Sequence, residues 1–441
     1  IIQNVNIWKK LGKKRQKIMR TINIIGAGLA GTSAAYYLAN RGYKINLYDQ
    51  KPLLEGPFHS TKFGELVCSN SLKSSEKDNA CGLLKSELEV FDSLFMKAAN
   101  FNKLASGSEL AVDREGFSSF IDNAIRTNPN INIISKKFLD FKNDEIYIVC
   151  TGPLTDKEFL DKFKVLTGEE TFSFYDAAAP LVYFSSLDTS KMYFKSRFDK
   201  GEGKYLNIPL DKEEYDKFTN DLINGEKVIL HDFEHFEGCL PIEVIASRGP
   251  LTLKCGPLQP KGLDFNNIKP YAVVQLRKDD AANSLYNMVG FQTNLTFKEQ
   301  KRIFSSLPGM ENVKFARFGL MHRNSYLNAP KVLNRNLSLK NHPNIFIGGQ
   351  FSGVEGYVES AATGLLAAMY VTLYLENKTS YIPLESMMGS LVNYLVMSSP
   401  KHFAPINACY GIFQSPLRRE KLKAYELSIN SLNKWKKDNN L

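Results

Sequence analysis

Two thiols stand in short, polar words of this chain: Cys68 in ELVCSNS (65–71) and Cys239 in FEGCLPIE (236–243). Each word places a carboxylate within a few residues of the sulfur. A thiolate is a soft nucleophile suited to conjugate addition at an electron-poor carbon, such as C6 of a pyrimidine. Such addition makes the adjacent C5 carbanion-like and able to attack a one-carbon unit. Cys239 follows Gly238, a residue that lets the backbone expose the sulfur, and Pro241 restricts what comes after. Cys68, between Glu65 and Ser69-Asn70-Ser71, reads as a second nucleophile or a proton-transfer group. The plainer reading of each, a small buried apolar side chain, stays open from the residues alone.

Other words offer competing chemistry. His231, His235 and Cys239 recur at four-residue intervals, a spacing that a helix would turn into zinc ligands. Gly238 and the strand-like aromatics argue against a helix, and no second His/Cys cluster completes a ligand set, so no metal is expected. Asp113-Arg114-Glu115 and Arg323 are candidates for binding an anionic substrate or a cofactor phosphate, or else form internal salt bridges.

The elements that must position these groups begin at Thr21. TINIIG (21–26) reads as a buried strand, 29–41 as a helix with small residues on its inner face, and 43–49 as a second strand. Between them runs Gly26-Ala27-Gly28-Leu29-Ala30-Gly31. In this spacing the first glycine makes a tight turn, the second admits a pyrophosphate, and the third lets helix and strand pack closely. Asp49 ends the second strand 18 residues after Gly31, where a carboxylate accepts hydrogen bonds from ribose hydroxyls. A further strand within 141–152 and a late one at 345–349 lead to a second glycine cluster that includes Gly349 and Gly353. A helix starting near Tyr357 follows, with its N-terminal end toward a phosphate or a flavin ring. The alternative is that these glycines only let that helix pack tightly.

A nucleotide fold assembled from both ends of the chain resembles the FAD-dependent, glutathione-reductase-like architecture. The fold expected is therefore α/β: an FAD-binding Rossmann-like domain in two parts (21–175 and 310–441) with an inserted α+β substrate domain at 176–309. The insert holds aromatic-rich strand candidates (LVYFSSL, KMYFKSRF, YAVVQL, SLYNMVGFQT) and charged helical pieces such as KEEYDKFTNDLI. The uncharged run 360–375 falls short of a bilayer span and reads as a buried helix, and no membrane association is expected.

Charge bears on partners. The net charge is +10, but residues 1–20 hold seven of the 56 Lys and Arg and no acid, which leaves 49 basic against 46 acidic groups in the rest. Any nucleic-acid surface in the body must then be a local patch. Residues 418–437, basic and interleaved with Tyr425 and Trp435, are one candidate; a solvated helix face is the other reading. Met19 directly precedes the first strand, so 1–18 read as a start assigned too early or as a basic RNA-gripping arm. Six cysteines with no CxxC pair and no apolar leader point to reduced thiols in a cytoplasmic protein.

With these words placed, the chain resembles the folate- and FAD-dependent tRNA uracil-C5-methyltransferase family (TrmFO) from about Thr21 to Phe413. The likeness rests on INIIGAGLAG, KFGELVCSNSL, GLLKSELEVFDSL, ELAVDREGF, CTGPLTD, FYDAAAPLV, HFEGCLPIEVIASRG, AVVQLRKDDAANSLYNMVGFQT, GLMHRNSYLNAP and GGQFSGVEGYVESAATG. The resemblance implies FAD as cofactor, 5,10-methylenetetrahydrofolate as carbon donor and NAD(P)H as reductant. It makes Cys239 the nucleophile at uracil C6, Cys68 the second essential thiol and Tyr357 an aromatic contact of the flavin. The expected product is 5-methyluridine at position 54 of tRNA, with a 23S rRNA uridine as the alternative target and a catalytically inactive RNA-binding flavoprotein as the alternative of another class. Departures are Asp49 where the family carries Glu, GPLQPKGL with its lysine at Lys261, and Ile208 where many members have cysteine.

Overall fold

The computed structural model describes residues 21–51, 60–199, 205–228 and 240–441, with backbone alone at 174–176. Residues 1–20 and 231–239, and with them the basic arm and the His231, His235 and Cys239 word, lie outside the described residues.

The first strand, Thr21–Ile25, is a β-branched run buried from Ile22 onward, as a central parallel strand must be. It sits in the middle of a five-stranded parallel sheet ordered Ile345–Ile347, Ile146–Val149, Thr21–Ile25, Lys44–Asp49, Ile131–Ser135. The late strand therefore joins the edge of a sheet begun more than three hundred residues earlier, as a two-part domain requires. Helix Leu29–Asn40 follows the first strand, with Ala34 and Ala35 fully buried. Helix Tyr357–Leu375 crosses it so closely that a Cβ on Gly364 would lie 2.3 Å from the Ala30 carbonyl oxygen.

That second helix starts at Tyr357, ahead of the uncharged run, because Gly356 forms its N-terminal boundary. Its 19 residues make it long and apolar enough to cross a bilayer, contrary to the length argument from the sequence, yet 83% of its apolar window is buried inside the fold. It is a core helix.

The insert has its own core, running from Ala179 to Val313, and its own six-stranded antiparallel sheet. The strand order is Tyr193–Lys195, Tyr205–Leu210, Ala272–Lys278, Leu285–Met288, Leu181–Tyr183, Phe315–Arg317. The last of these lies beyond residue 309, so the insert's sheet extends past the boundary expected from the sequence. The chain enters and leaves through an antiparallel pair, Thr171–Ala177 with Met321–Leu327, registered from Met321 opposite Ala177 to Leu327 opposite Thr171. KEEYDKFTNDLI forms helix Lys212–Asn224, started by a capping box between Asp211 and Glu214.

The C-terminal helix Lys421–Asn439 packs back on the first domain. Trp435 is 7% exposed and meets the rings of Phe91 and Tyr370 edge-on. That ring is core, and it is withdrawn from any nucleic-acid face.

Candidate functional site

Gly26 turns the chain at the end of the first strand with φ of +98°, and a side chain there would lie 2.3 Å from the Cys150 carbonyl oxygen. A Cβ on Gly31 would stand 1.8 Å from the Gly26 carbonyl oxygen, so this glycine sets the helix-to-strand approach. Gly28 differs: a Cβ there would meet nothing within 4 Å. It faces open space at the N-terminus of helix Leu29–Asn40, which has no side-chain cap. Uncapped amides at a helix start, in an open cleft, suit a pyrophosphate.

Asp49 stands at the floor of this cleft. Its carboxylate accepts from Ala27 N–H at 2.7 Å and Lys51 N–H at 2.9 Å, which fixes it against the glycine loop. Lys51 in turn pairs with Glu65 at 2.7 Å, both side chains nearly buried. The cleft, about 170 Å³, is lined by Gly26, Ala27, Gly28, Leu29, Ala30 and Asp49 on one side, and by Thr151 and Gly349 on the other. Gly31 and Gly353 do not line it. A Cβ on Gly353 would lie 2.5 Å from the Phe403 ring, so that glycine serves packing, as the plainer reading of the second cluster held.

A second cavity of about 270 Å³ adjoins the first. The two share Val67, Pro153, Leu154, Gln350 and Tyr357, so they form one trough with Tyr357 at the divide. Cys68 lines the second cavity with its Sγ 3.9 Å from the Ala177 carbonyl oxygen.

The peptide of Cys68 is held on both sides. Its N–H donates to the Tyr357 hydroxyl at 2.7 Å, and Ser69 N–H donates to the same oxygen at 3.1 Å. Burial, with the Cys68 sulfur adding to it, pushes the Tyr357 phenol far above its ordinary range, so it is a neutral acceptor at physiological pH. The Cys68 carbonyl accepts from Arg317 Nη2 at 2.8 Å and Arg114 Nη2 at 3.2 Å. Arg114 also grips Asp279 through two bonds of 2.9 Å. Burial disfavours the Arg114 charge, but Asp279 more than offsets this and holds its pKa above the usual value. Burial pushes Arg317 down, and the neighbouring Arg114 adds to that.

The next residues are pinned equally well. Asn70 donates to the carbonyls of Val112 and Lys278 at 3.0 and 2.8 Å. Arg277 donates to Ser69 Oγ at 2.6 Å and to Glu109 at 2.9 Å. Arg277 and Asp279 belong to the insert, so the loop carrying Cys68 is clamped between the two domains. Nothing in the sequence singled out Arg277, Asp279 or Arg317, whose partners are side chains (Ser69, Glu109 and Arg114) and the Cys68 carbonyl, all remote in the chain. Arg114 was singled out, and its use is the salt-bridge one. Arg323 points away from the trough and donates to Ser173 Oγ at 3.0 Å. Strand alternation turns its neighbours His322 and Asn324 inward instead.

Cys239 itself lies outside the described residues. Both flanks of its segment are placed: Val228 N–H donates to the Asn294 carbonyl at 2.9 Å, and Ile242 N–H donates to that of Gln292 at 2.7 Å. Gln292 lines the trough. Glu243, from the same word, is a buried structural carboxylate that accepts from Thr293 Oγ1 and Asn294 N–H. Cys150 is sealed in the core, where burial raises its pKa, and is unsuited to chemistry. Among the described residues no group of three or more His, Cys, Asp or Glu is placed to hold a metal.

The parallel sheet, glycine loop and two-part assembly define a dinucleotide-binding flavoprotein fold. The solved structure of Aquifex aeolicus GidA superposes with a TM-score of 0.66 at 16% identity, covering 95% of this chain and 76% of that one. The family model described as "Glucose inhibited division protein A" matches residues 21–379. Among curated proteins, Methylenetetrahydrofolate--tRNA-(uracil-5-)-methyltransferase TrmFO of Fusobacterium nucleatum is 47% identical over 94% of this chain and 97% of its own length. Its namesake from Lysinibacillus sphaericus is 45% identical over 92% and 95%. The chain belongs to the TrmFO family, within the group described by the GidA model.

Proposed function

We propose that this protein is an FAD-dependent tRNA uracil-C5-methyltransferase that takes its carbon from 5,10-methylenetetrahydrofolate and its electrons from NAD(P)H, forming 5-methyluridine at position 54 in the cytoplasm. The observation that carries the reading is the single trough in which the glycine-loop cleft runs past Tyr357 to Cys68. The names of the relatives supply the reaction class, and the uncapped helix start, Gly28 and Asp49 fit a bound dinucleotide. When bound, FAD supplies the two-electron chemistry that turns a methylene into a methyl group.

The residues do the rest. The Cys239 thiolate adds to uracil C6, which forms the S–C6 bond and places an electron pair at C5. C5 then bonds to the transferred carbon. Loss of the C5 proton to a base, with Cys68 on its clamped loop as that group, breaks the bond between the transferred carbon and its donor nitrogen and leaves an exocyclic methylene at C5. A hydride, which the reduced cofactor would supply, converts it to methyl as the Cys239 thiolate is expelled and the C5–C6 double bond is restored. Tyr357, Arg114 and Arg317 fix the Cys68 peptide, and the half-enclosed trough limits water. The target uridine leaves its stack to enter.

The test is nucleoside mass spectrometry after incubating the purified holoenzyme with methylenetetrahydrofolate, NADH or NADPH, and separated tRNA and 23S rRNA. The reading expects 5-methyluridine in tRNA at position 54. Its formation only in 23S rRNA would move the target, and its formation in neither would end the proposal.

A further inference from the structure

Resting on that reading, we propose that Phe297 is the outer ring of a nucleobase-stacking platform for RNA residues flanking the target uridine. Four phenylalanines form a continuous series from the insert's core to its surface. Phe304 is buried and meets Phe315 at 6.5 Å between ring centres. Phe315 stacks on Phe318 at 4.7 Å and 23°, and Phe318 stacks on Phe297 at 4.9 Å and 18°. Phe297 is 50% exposed, so the series ends in an open aromatic face. Near-parallel rings at these spacings repeat the geometry that a base adopts on an aromatic side chain.

The platform is rigid and tied to the site. Buried Gln300 donates to the Gly319 and Leu295 carbonyls and accepts from Gly319 N–H at 2.7 Å, which locks segment 317–320 to helix Phe297–Phe304. Arg317, beside Phe318 in the chain, is the residue that grips the Cys68 carbonyl. Leu320 accepts from Ala178 N–H at 2.8 Å, and Ala178 lines the trough.

The charge around the ring selects the partner. Lys298, Lys301 and Lys314 are exposed and make no ion pair among the described residues. Lys298 adjoins Phe297, and Lys301 shares its helix face. Of the carboxylates nearby, Glu299 is paired with Arg302 and Glu311 with Lys191. An open aromatic ring flanked by exposed lysines, beside a pocket for an extruded base, matches single-stranded RNA rather than an apolar protein surface.

The experiment uses the FAD-loaded protein and a tRNA T-arm stem-loop carrying 2-aminopurine next to the target uridine. Wild-type protein should quench the probe by stacking. Phe297→Ala should lose the quenching and weaken RNA binding by roughly tenfold or more, while flavin content and melting temperature stay unchanged; Phe297→Trp should keep both. Quenching and affinity equal to wild type in Phe297→Ala overturn the platform, as does a change in self-association in place of RNA affinity. If wild-type protein makes 5-methyluridine in no RNA, the parent reading falls and takes this one with it. If it does make it and Phe297→Ala is indifferent, only the platform falls.

Discussion

The Tyr357 hydroxyl accepts the backbone N–H of Cys68 at 2.7 Å, joining the first residue of the core helix to the loop that presents the thiol. The same oxygen takes Ser69 N–H, so one phenol satisfies two consecutive amides. Tyr357→Phe leaves both without that partner, at a cost of about 1–3 kcal/mol each if they stay dry. The expected outcome is a methylation rate at least tenfold lower in a protein that still folds and binds FAD, read by nucleoside mass spectrometry beside flavin absorbance. An unchanged rate would show that the loop does not need this anchor.

The Arg114–Asp279 pair spans the domain junction with two bonds of 2.9 Å and little exposure. Removing one partner from such a pair strands a buried charge and costs about 3–5 kcal/mol. Asp279→Asn and Arg114→Met should each lower the melting temperature clearly, and the double variant should lose less than the sum of the two. Strict additivity in thermal unfolding would contradict coupling across the junction.

Gly28 and Gly31 separate cofactor binding from packing. A methyl at 31 collides with the Gly26 carbonyl oxygen, whereas one at 28 meets only open space. Gly31→Ala should therefore destabilise the protein even without FAD. Gly28→Ala should leave the apo-protein's melting temperature alone and weaken FAD retention. Calorimetry with and without FAD, with the bound flavin measured by absorbance, distinguishes the two.

Much of this was legible in the sequence, for physical reasons. The glycine spacing and Asp49 follow from local strand, turn and helix rules, and the structure places Gly26, Gly28 and Asp49 along one cleft, with Gly31 in the packing behind it. Cys68 was legible because its polar word is a poor place to bury an inert thiol. The residues that hold it were not legible. Arg317 and Arg277 act on Cys68 and Ser69 from about 250 and 208 positions away, a relation no periodicity carries. Arg323 stands outside the trough because alternation along a strand, invisible in a single motif, turns it outward. The start of the core helix at Tyr357 was legible from the glycine cluster before it, and Gly356, with φ of +118°, marks that boundary in place of a polar cap.

Glu87 gives a pH signature. It is fully buried, accepts from Met387 and Met388 N–H and from Ser428 Oγ, and thereby ties the helix starting at Met387 to the C-terminal helix. Burial outweighs these bonds and pushes its pKa up from 4.5 to about 7. The native state thus holds this proton more tightly than the unfolded chain. Its contribution is complete below pH 4.5 and is lost as pH rises through 7, a change of roughly 3 kcal/mol. Denaturant unfolding between pH 5 and 8 should show this decline, and Glu87→Gln should flatten it.

The claim on which the account turns is that sulfur at position 239 attacks uracil C6. A T-arm RNA with 5-fluorouridine at position 54 blocks release, because C5 has no proton to lose. Incubated with the holoenzyme and methylenetetrahydrofolate, it should yield a covalent protein–RNA adduct. Peptide mass spectrometry should map that adduct to Cys239, and Cys239→Ala should abolish it while FAD stays bound. An adduct on Cys68 or another residue, or one that persists in Cys239→Ala, would contradict the mechanism.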